Sequence, residues 1–214
     1  MTPGEIITAA RNRYNATSDS FYSNDELLDL LWQACIDLSR STNLIENIYT
    51  TSTVAAQQAY AYPTTAISIK RITYNGQKLQ QITMREDDAI TGLDQTSASQ
   101  GTPTYYYIWN KAIYLRPIPA EVGTLKIFTF NEPQEIVSTS TLEIPTHFHM
   151  DLVHYIVAVM AEKDSNFAAA DRLWTKWEQV KLEAKKWVRI NKRGDKFTNV
   201  QDEEQLVGGY LGLT

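Results

Sequence analysis

Residues 101–130, GTPTYYYIWNKAIYLRPIPAEVGTLKIFTF, hold seven aromatic residues and three prolines in thirty positions, with Arg116 their one arginine. That density fits a sugar or nucleobase platform, a proline-rich ligand or a β-sheet. Residues 105–109 and 112–115 alternate around the two-residue turn Asn110-Lys111. A third run, 124–130, sets Leu125, Ile127 and Thr129 on one face and Lys126, Phe128 and Phe130 on the other. Aromatic and β-branched side chains suit a pleated, half-buried surface, so strand packing accounts for the rings without a ligand. Pro117 and Pro119 stand where the middle strand must stop, since proline cannot donate to a ladder, and Gly123 turns the chain back. The P-x-P is too short, and too closely flanked by strand, for a polyproline ligand.

Strand signals extend towards the N-terminus. ENIYTTSTV (46–54) and AISIKRITY (66–74) are rich in β-branched and aromatic residues, and Asn75-Gly76 is a strong hairpin signal because both residues tolerate positive φ. Thr83 with Glu86 predicts a capping box over a single helical turn, followed by a long polar loop, with residues 87–103 the most mobile part of this half.

Helical periods lie on either side. Thr2-Pro3 reads as an N-cap and first helical residue, and Ser23 with Glu26 as a capping box before Leu27, Leu31, Ala34, Cys35 and Leu38, an amphipathic helix of about five turns. After 140, Thr146 is predicted to cap a helix with Phe148, Leu152, Tyr155, Ile156, Val159 and Met160 in one stripe. A break near KDSN (163–166) leads to a final helix carrying Ala170, Trp174, Trp177, Ala184 and Val188, with Phe167 and Val180 beside the stripe. Beyond Ile190 no period persists, and Phe197, Leu206, Val207, Tyr210 and Leu211 read as partner anchors on an extended tail. The expected fold is α+β: a bundle of two N-terminal and two C-terminal helices (1–46 and 141–190), an inserted antiparallel β-domain (47–140) and a C-terminal arm (191–214).

Composition sets the outer bounds. The 214 residues are 43% hydrophobic, enough for a real core. The lone Cys35 excludes an intrachain disulfide and suits a reducing compartment of synthesis, the host cytoplasm. No signal peptide or membrane span is expected. The net charge of −5 is uneven: residues 176–196 carry eight basic and three acidic residues, a net of +5, which leaves −10 for the rest. That run fits a solvated helix face, a nucleic-acid footprint or a strap for an acidic protein surface.

Catalytic chemistry finds little support. His147, His149 and His154 cluster with Asp151, but no zinc spacing is present, and the histidines read as helix-start residues near solvent or a partner. No nucleophile elbow, phosphate loop or dinucleotide fingerprint occurs. Glu86, Asp87 and Asp88 complement a helix N-terminus without any catalytic role. The reading is a non-enzymatic structural protein with no cofactor and no metal.

The order of parts resembles the head-to-tail connector (adaptor) family of tailed bacteriophages, of short-tailed type. The positions that carry the likeness are Tyr62-Pro63, Asn75-Gly76, Gly101 with Pro103 and Tyr106, Leu115 with Pro117 and Pro119, and Leu142 with Pro145, spread over residues 4–190. The resemblance implies a virion protein at the head-tail junction, a homo-oligomeric ring of twelve copies under the portal. Such a ring extends the channel, receives tail or nozzle proteins, helps retain the genome and passes it on at ejection. Double-stranded DNA would pass without sequence-specific contact. The portal-docking candidates are Lys185, Lys186, Arg189, Lys192, Arg193, Lys196, Phe197, Leu206, Tyr210 and Leu211. The tail-facing or intersubunit candidates are Tyr105, Tyr107, Trp109, Tyr114, Arg116, Asp87 and Asp88. The alternative is a carbohydrate-binding or DNA-binding module using the aromatic β-domain or the basic final helix.

Overall fold

The computed structural model describes residues 1–17, 21–91 and 99–192. Helix α1 (Pro3–Tyr14) starts in a full capping box: Glu5 N donates to Thr2 Oγ1 and Thr2 N to Glu5 Oε2, and left-handed Asn15 closes it. Helix α2 (Asn24–Thr42) has half of the expected box. Ser23 Oγ accepts from Glu26 N at 3.1 Å, but the Glu26 carboxylate accepts from Lys163 Nζ at 2.7 and 2.9 Å instead of reaching back. The cap is thereby traded for a clip to α4 (Leu152–Lys163).

The start of α4 corrects the sequence expectation. Thr146–Phe148 form a 3-10 turn after Pro145, and the α-helix begins only at Leu152 without a side-chain cap. His149 fixes this geometry: it is buried, with Nε2 2.7 Å from the Ile144 carbonyl oxygen and Nδ1 3.1 Å from the N-terminal amine. Nor does α4 bury a single stripe. Leu152, Val153, Ile156, Val157, Ala158, Met160 and Ala161 are all buried, because α1, α2 and α5 (Phe167–Lys192) enclose it. Left-handed Ser165 makes the break before α5. On α5, Ala170, Trp177, Val180, Ala184 and Val188 are buried as the period predicts, whereas Phe167 is 64% exposed.

Among the described residues, two four-stranded sheets and a small third lie between α2 and α4. The first has the order β1 (Glu46–Ser52), β10 (Thr124–Asn131), β3 (Ala66–Tyr74), β4 (Gln77–Lys78), and is antiparallel throughout. The second orders β2 (Ala59–Ala61), β8 (Ala112–Arg116), β7 (Tyr105–Trp109) and β5 (Gln80–Gln81), with β5 and β7 parallel. β6 (Gln100–Gly101) and β9 (Ile118–Pro119) form a parallel pair, so the chain is paired again just beyond the predicted stop at Pro117. Both two-residue turns hold: Asn75 and Gly76, like Asn110 and Lys111, all have positive φ. Residues 101–130 do not make one sheet, however. The 105–116 hairpin belongs to the second sheet and β10 is an inner strand of the first.

The two sheets enclose a core of Tyr60, Ile72, Tyr74, Leu79, Tyr106, Ile113, Leu115, Leu125 and Ile127. The bundle has its own core, which also takes in Leu44 and Ile45 on the way into the sheets and Ile136, Leu142 and Ile144 on the way out. Arg40 pairs with Glu132 and the Asn131 amide donates to the Ile45 carbonyl at 2.9 Å, tying bundle to sheet at the crossing. Near Thr83 the expected single turn is an eight-residue helix, α3 (Met84–Thr91), with the capping box formed as predicted. Most of the expected loop after it, and the tail beyond Lys192, lie outside the described residues.

Candidate docking surfaces

The β-domain candidates separate into interior and surface. Asp87 is fully buried, Arg116 4% exposed and Tyr107 2% exposed; Tyr105, Tyr114 and Asp88 are half-buried, and Trp109 is 56% exposed. The structure brings the interior ones together. Arg116 Nε donates to Asp87 Oδ1 at 2.7 Å and Nη2 to Asp87 Oδ2 at 2.9 Å, a two-pronged ion pair from β8 to α3. With its amide oriented to satisfy both ends, Gln58 accepts from Nη1 and Nη2 at 2.8 and 2.9 Å. The guanidinium carbon lies 5.9 Å from the centre of the Tyr107 ring, which stacks on Tyr114 at 4.8 Å with an interplanar angle of 5°. Burial, above all, raises the Tyr107 phenol pKa.

Neither the i+29 spacing nor the capping role of the acids announces this pairing. The one available signal was an arginine at the end of an apolar strand, a position that calls for a buried counter-charge. Its effect is to hold α3 against the sheet: among the described side chains of α3, Asp87 is the one that is buried.

On the bundle, Lys185 and Lys186 are exposed and Arg189 is half-buried on α5, which ends at Lys192. Leu182 (58% exposed), Lys186 and Ile190 (53% exposed) recur every four residues, giving an apolar row with a cation in its middle. Arg193, Lys196, Phe197, Leu206, Tyr210 and Leu211 lie outside the described residues.

A further surface escaped the sequence reading. Residues opposite one another in a sheet share a face, so Ile48, Phe128 and Arg71 form one row and Thr50, Lys126, Thr73 and Lys78 the next. The Arg71 guanidinium sits 3.9 Å from the Phe128 ring centre, and Lys70 Nζ lies 5.5 Å from that of Phe130 and 3.1 Å from Glu46 Oε1. The outward face of the first sheet is thus cationic and aromatic, an arrangement visible only once strand register is known.

His149 is buried and anchored as described, which corrects the expectation of a solvent- or partner-facing residue there, whereas His147 is exposed as expected, with its ring centre 4.9 Å from that of Trp187. No group of three or more potential metal ligands occurs among the described residues. Cys35 is buried and its thiol is pushed up to about 12, chiefly by burial, so it is not a thiolate at neutral pH. No helix among the described residues is long and apolar enough to cross a membrane.

A search of curated proteins found no match. A family model described as "SU10 adaptor protein" matches residues 1–184, and the chain therefore belongs to that family of bacteriophage adaptor proteins.

Proposed function

We propose that the protein is a structural component of the virion that assembles as a ring, of twelve copies, between the capsid portal and the tail of a short-tailed phage. The ring extends the DNA channel, helps retain the packaged genome and passes it on at ejection, without catalysis. The observation that carries this reading is the family match across residues 1–184. The exposed Leu182–Lys186–Ile190 row, with Lys185, Arg189, Lys192 and the segment beyond, faces the portal. Trp109 and the half-buried Tyr105, Tyr114 and Asp88 face tail proteins or a neighbouring subunit, while Tyr107, Arg116 and Asp87 support them from inside. The division into bundle halves 1–46 and 141–190, β-domain 47–140 and arm 191–214 follows the same logic.

The aromatic-platform alternative is weakened by burial. Of the seven rings in 101–130, Tyr106, Tyr107 and Phe130 are buried, Tyr105, Tyr114 and Phe128 are half-buried, and Trp109 is exposed. Native mass measurement and negative-stain imaging, with and without portal protein, test the proposal. A closed ring is expected, at least when portal is present, and a monomer under all conditions would refute it.

A further inference from the structure

Between β10 and α4 the chain makes a small excursion at the crossing of sheet and bundle. Gln134 N donates to Glu143 Oε2 at 3.3 Å, Val137 N to Ser140 Oγ at 2.8 Å, and Ser140 N back to the Val137 carbonyl at 2.9 Å. Ile136 and Leu142 anchor it in the bundle core. Burial alternates along it: Glu135 is exposed, Ile136 buried and Val137 57% exposed, so an acid and an aliphatic residue share the outward side of a held knob.

A complement to that knob lies on the outward face of the first sheet. One cavity of about 490 Å³ is lined by Ile48 and Phe128 together with Lys70 and Arg71. A second, of about 510 Å³, shares Lys70 and Arg71, adds Lys78, Gln80 and Gln81, and has no carboxylate in its lining. The two form a trough that is apolar over β1 and β10 and cationic over β3 and β4. Lys70 is engaged by Glu46, but Arg71 and Lys78, like Glu135, form no ion pair among the described residues. The Phe128 ring, 3.9 Å below the Arg71 guanidinium, holds its flat face and leaves its rim of N–H donors for a carboxylate. Neither Glu135 nor Val137 lines either cavity, so the chain does not fill its own trough.

Spacing and height both match. Ile48, Phe128 and Arg71 cross three strands at about 4.8 Å per step, and the Glu135-to-Val137 step is about 6.6 Å in extended chain. Val137 over Ile48 and Phe128 then sets Glu135 above Arg71, with Lys78 beyond. β1 opens directly after Leu44 and Ile45 of the bundle core, and Glu135 follows shortly after β10 ends at Asn131, so trough and knob both lie at the bundle end of the sheet. Glu121 and Val122, also an exposed acid and aliphatic, sit at the opposite end, where Thr53 N bonds the Gly123 carbonyl.

We propose that Glu135 and Val137 of one copy dock in the trough of the next, Glu135 on Arg71 and Lys78, and Val137 on Ile48 and Phe128. Knob and trough are different patches at one height, so the contact is head-to-tail, the kind that closes a ring of like-oriented copies. This inference rests on the ring reading and supplies one of its subunit contacts.

Mixing an Ile48→Cys chain with a Val137→Cys chain and a short bis-maleimide, with and without portal protein, tests the contact directly, since the native Cys35 is buried. The mixture is expected to cross-link, and a mixture with Val122→Cys in place of Val137→Cys is not. Glu135→Arg should raise the concentration needed for assembly about tenfold or more, as should Arg71→Glu with Lys78→Glu, and combining them should restore it, all read by native mass measurement. Thermal unfolding checks that these surface variants fold. Rings that form without the cross-link, or that ignore the charge variants, overturn the contact and leave the ring reading standing. Sensitivity to Arg71 and Lys78 with none to Glu135 also overturns it, because a tail protein or nucleic acid then occupies the trough. A parent monomer under all conditions refutes both, whereas a cross-linked dimer that never closes keeps the contact and refutes the ring.

Discussion

The Asp87–Arg116 pair predicts that the two halves of one salt bridge will be unequal in cost. Removing one partner of a buried pair leaves the other charge in an apolar site, typically a loss of about 3–5 kcal/mol. The loss is capped if the stranded group can reach water by a cheaper route. Asp87 has that route: α3 presents no other buried side chain among those described, so the helix can swing away and hydrate the carboxylate. Arg116 has none, because β8 lies inside the second sheet between β2 and β7. Asp87→Ala should therefore approach the full about 3–5 kcal/mol, eased by Gln58 and the Tyr107 ring, whereas Arg116→Met should cost about 1–2 kcal/mol less globally. In Arg116→Met the missing cost appears locally, as fast amide exchange confined to residues 84–91. The double variant Asp87→Ala/Arg116→Met should lie closer to the parent than Asp87→Ala does, since an apolar replacement of both charges is often near neutral. Denaturant unfolding with residue-level exchange measures all three. Arg116→Met costing as much as Asp87→Ala, with α3 amides still protected, would refute the reasoning.

Further perturbations test other parts of the fold. Gly123→Ala sets a Cβ 2.5 Å from the Tyr74 ring, whose hydroxyl donates to the Glu121 carbonyl; the ring must shift, at about 1–3 kcal/mol in denaturant unfolding. Trp177, 1% exposed with Nε1 donating to Asp37 Oδ2 at 2.7 Å, should cost about 3–5 kcal/mol as Trp177→Ala, and clearly less as Trp177→Phe. Burial first, then Arg13 and Lys176, hold His154 below its ordinary pKa, and its Nδ1 is buried without a hydrogen-bond partner. The unfolded chain then protonates first, so this histidine removes stability as pH falls from about 6.5 to its folded pKa. Unfolding free energies at several pH values should show a shallower decline over that window in His154→Gln than in the parent.

What the sequence made legible is what short-range chemistry decides. The Thr83–Glu86 box, the Asn75-Gly76 and Asn110-Lys111 turns and the α5 stripe each depend on residues within a few positions of one another, and each formed where its spacing placed it. The clearest misreadings involve a competing long-range partner. Glu26 left its cap for Lys163, 137 residues away, and His149 was claimed by the N-terminal amine, 148 residues away. β10 followed the hairpin in sequence but crossed to the other sheet, because β1 and β3 gave it ladders on both edges. Most α4 positions are apolar on every face, which periodicity reads as an indistinct stripe although it signals enclosure.

The same division governs the docking surfaces. Basic residues on α5 were visible because a helix keeps sequence neighbours together on its surface. The outward sheet face was not, since Arg71 and Lys126 come from separate strands and are brought onto one surface only by the register that sets Phe128 opposite Arg71 and Lys126 opposite Thr73. This has a consequence for an assembling protein. A surface gathered from three strands exists only when the sheet is folded, so a partner that recognises it selects folded subunits.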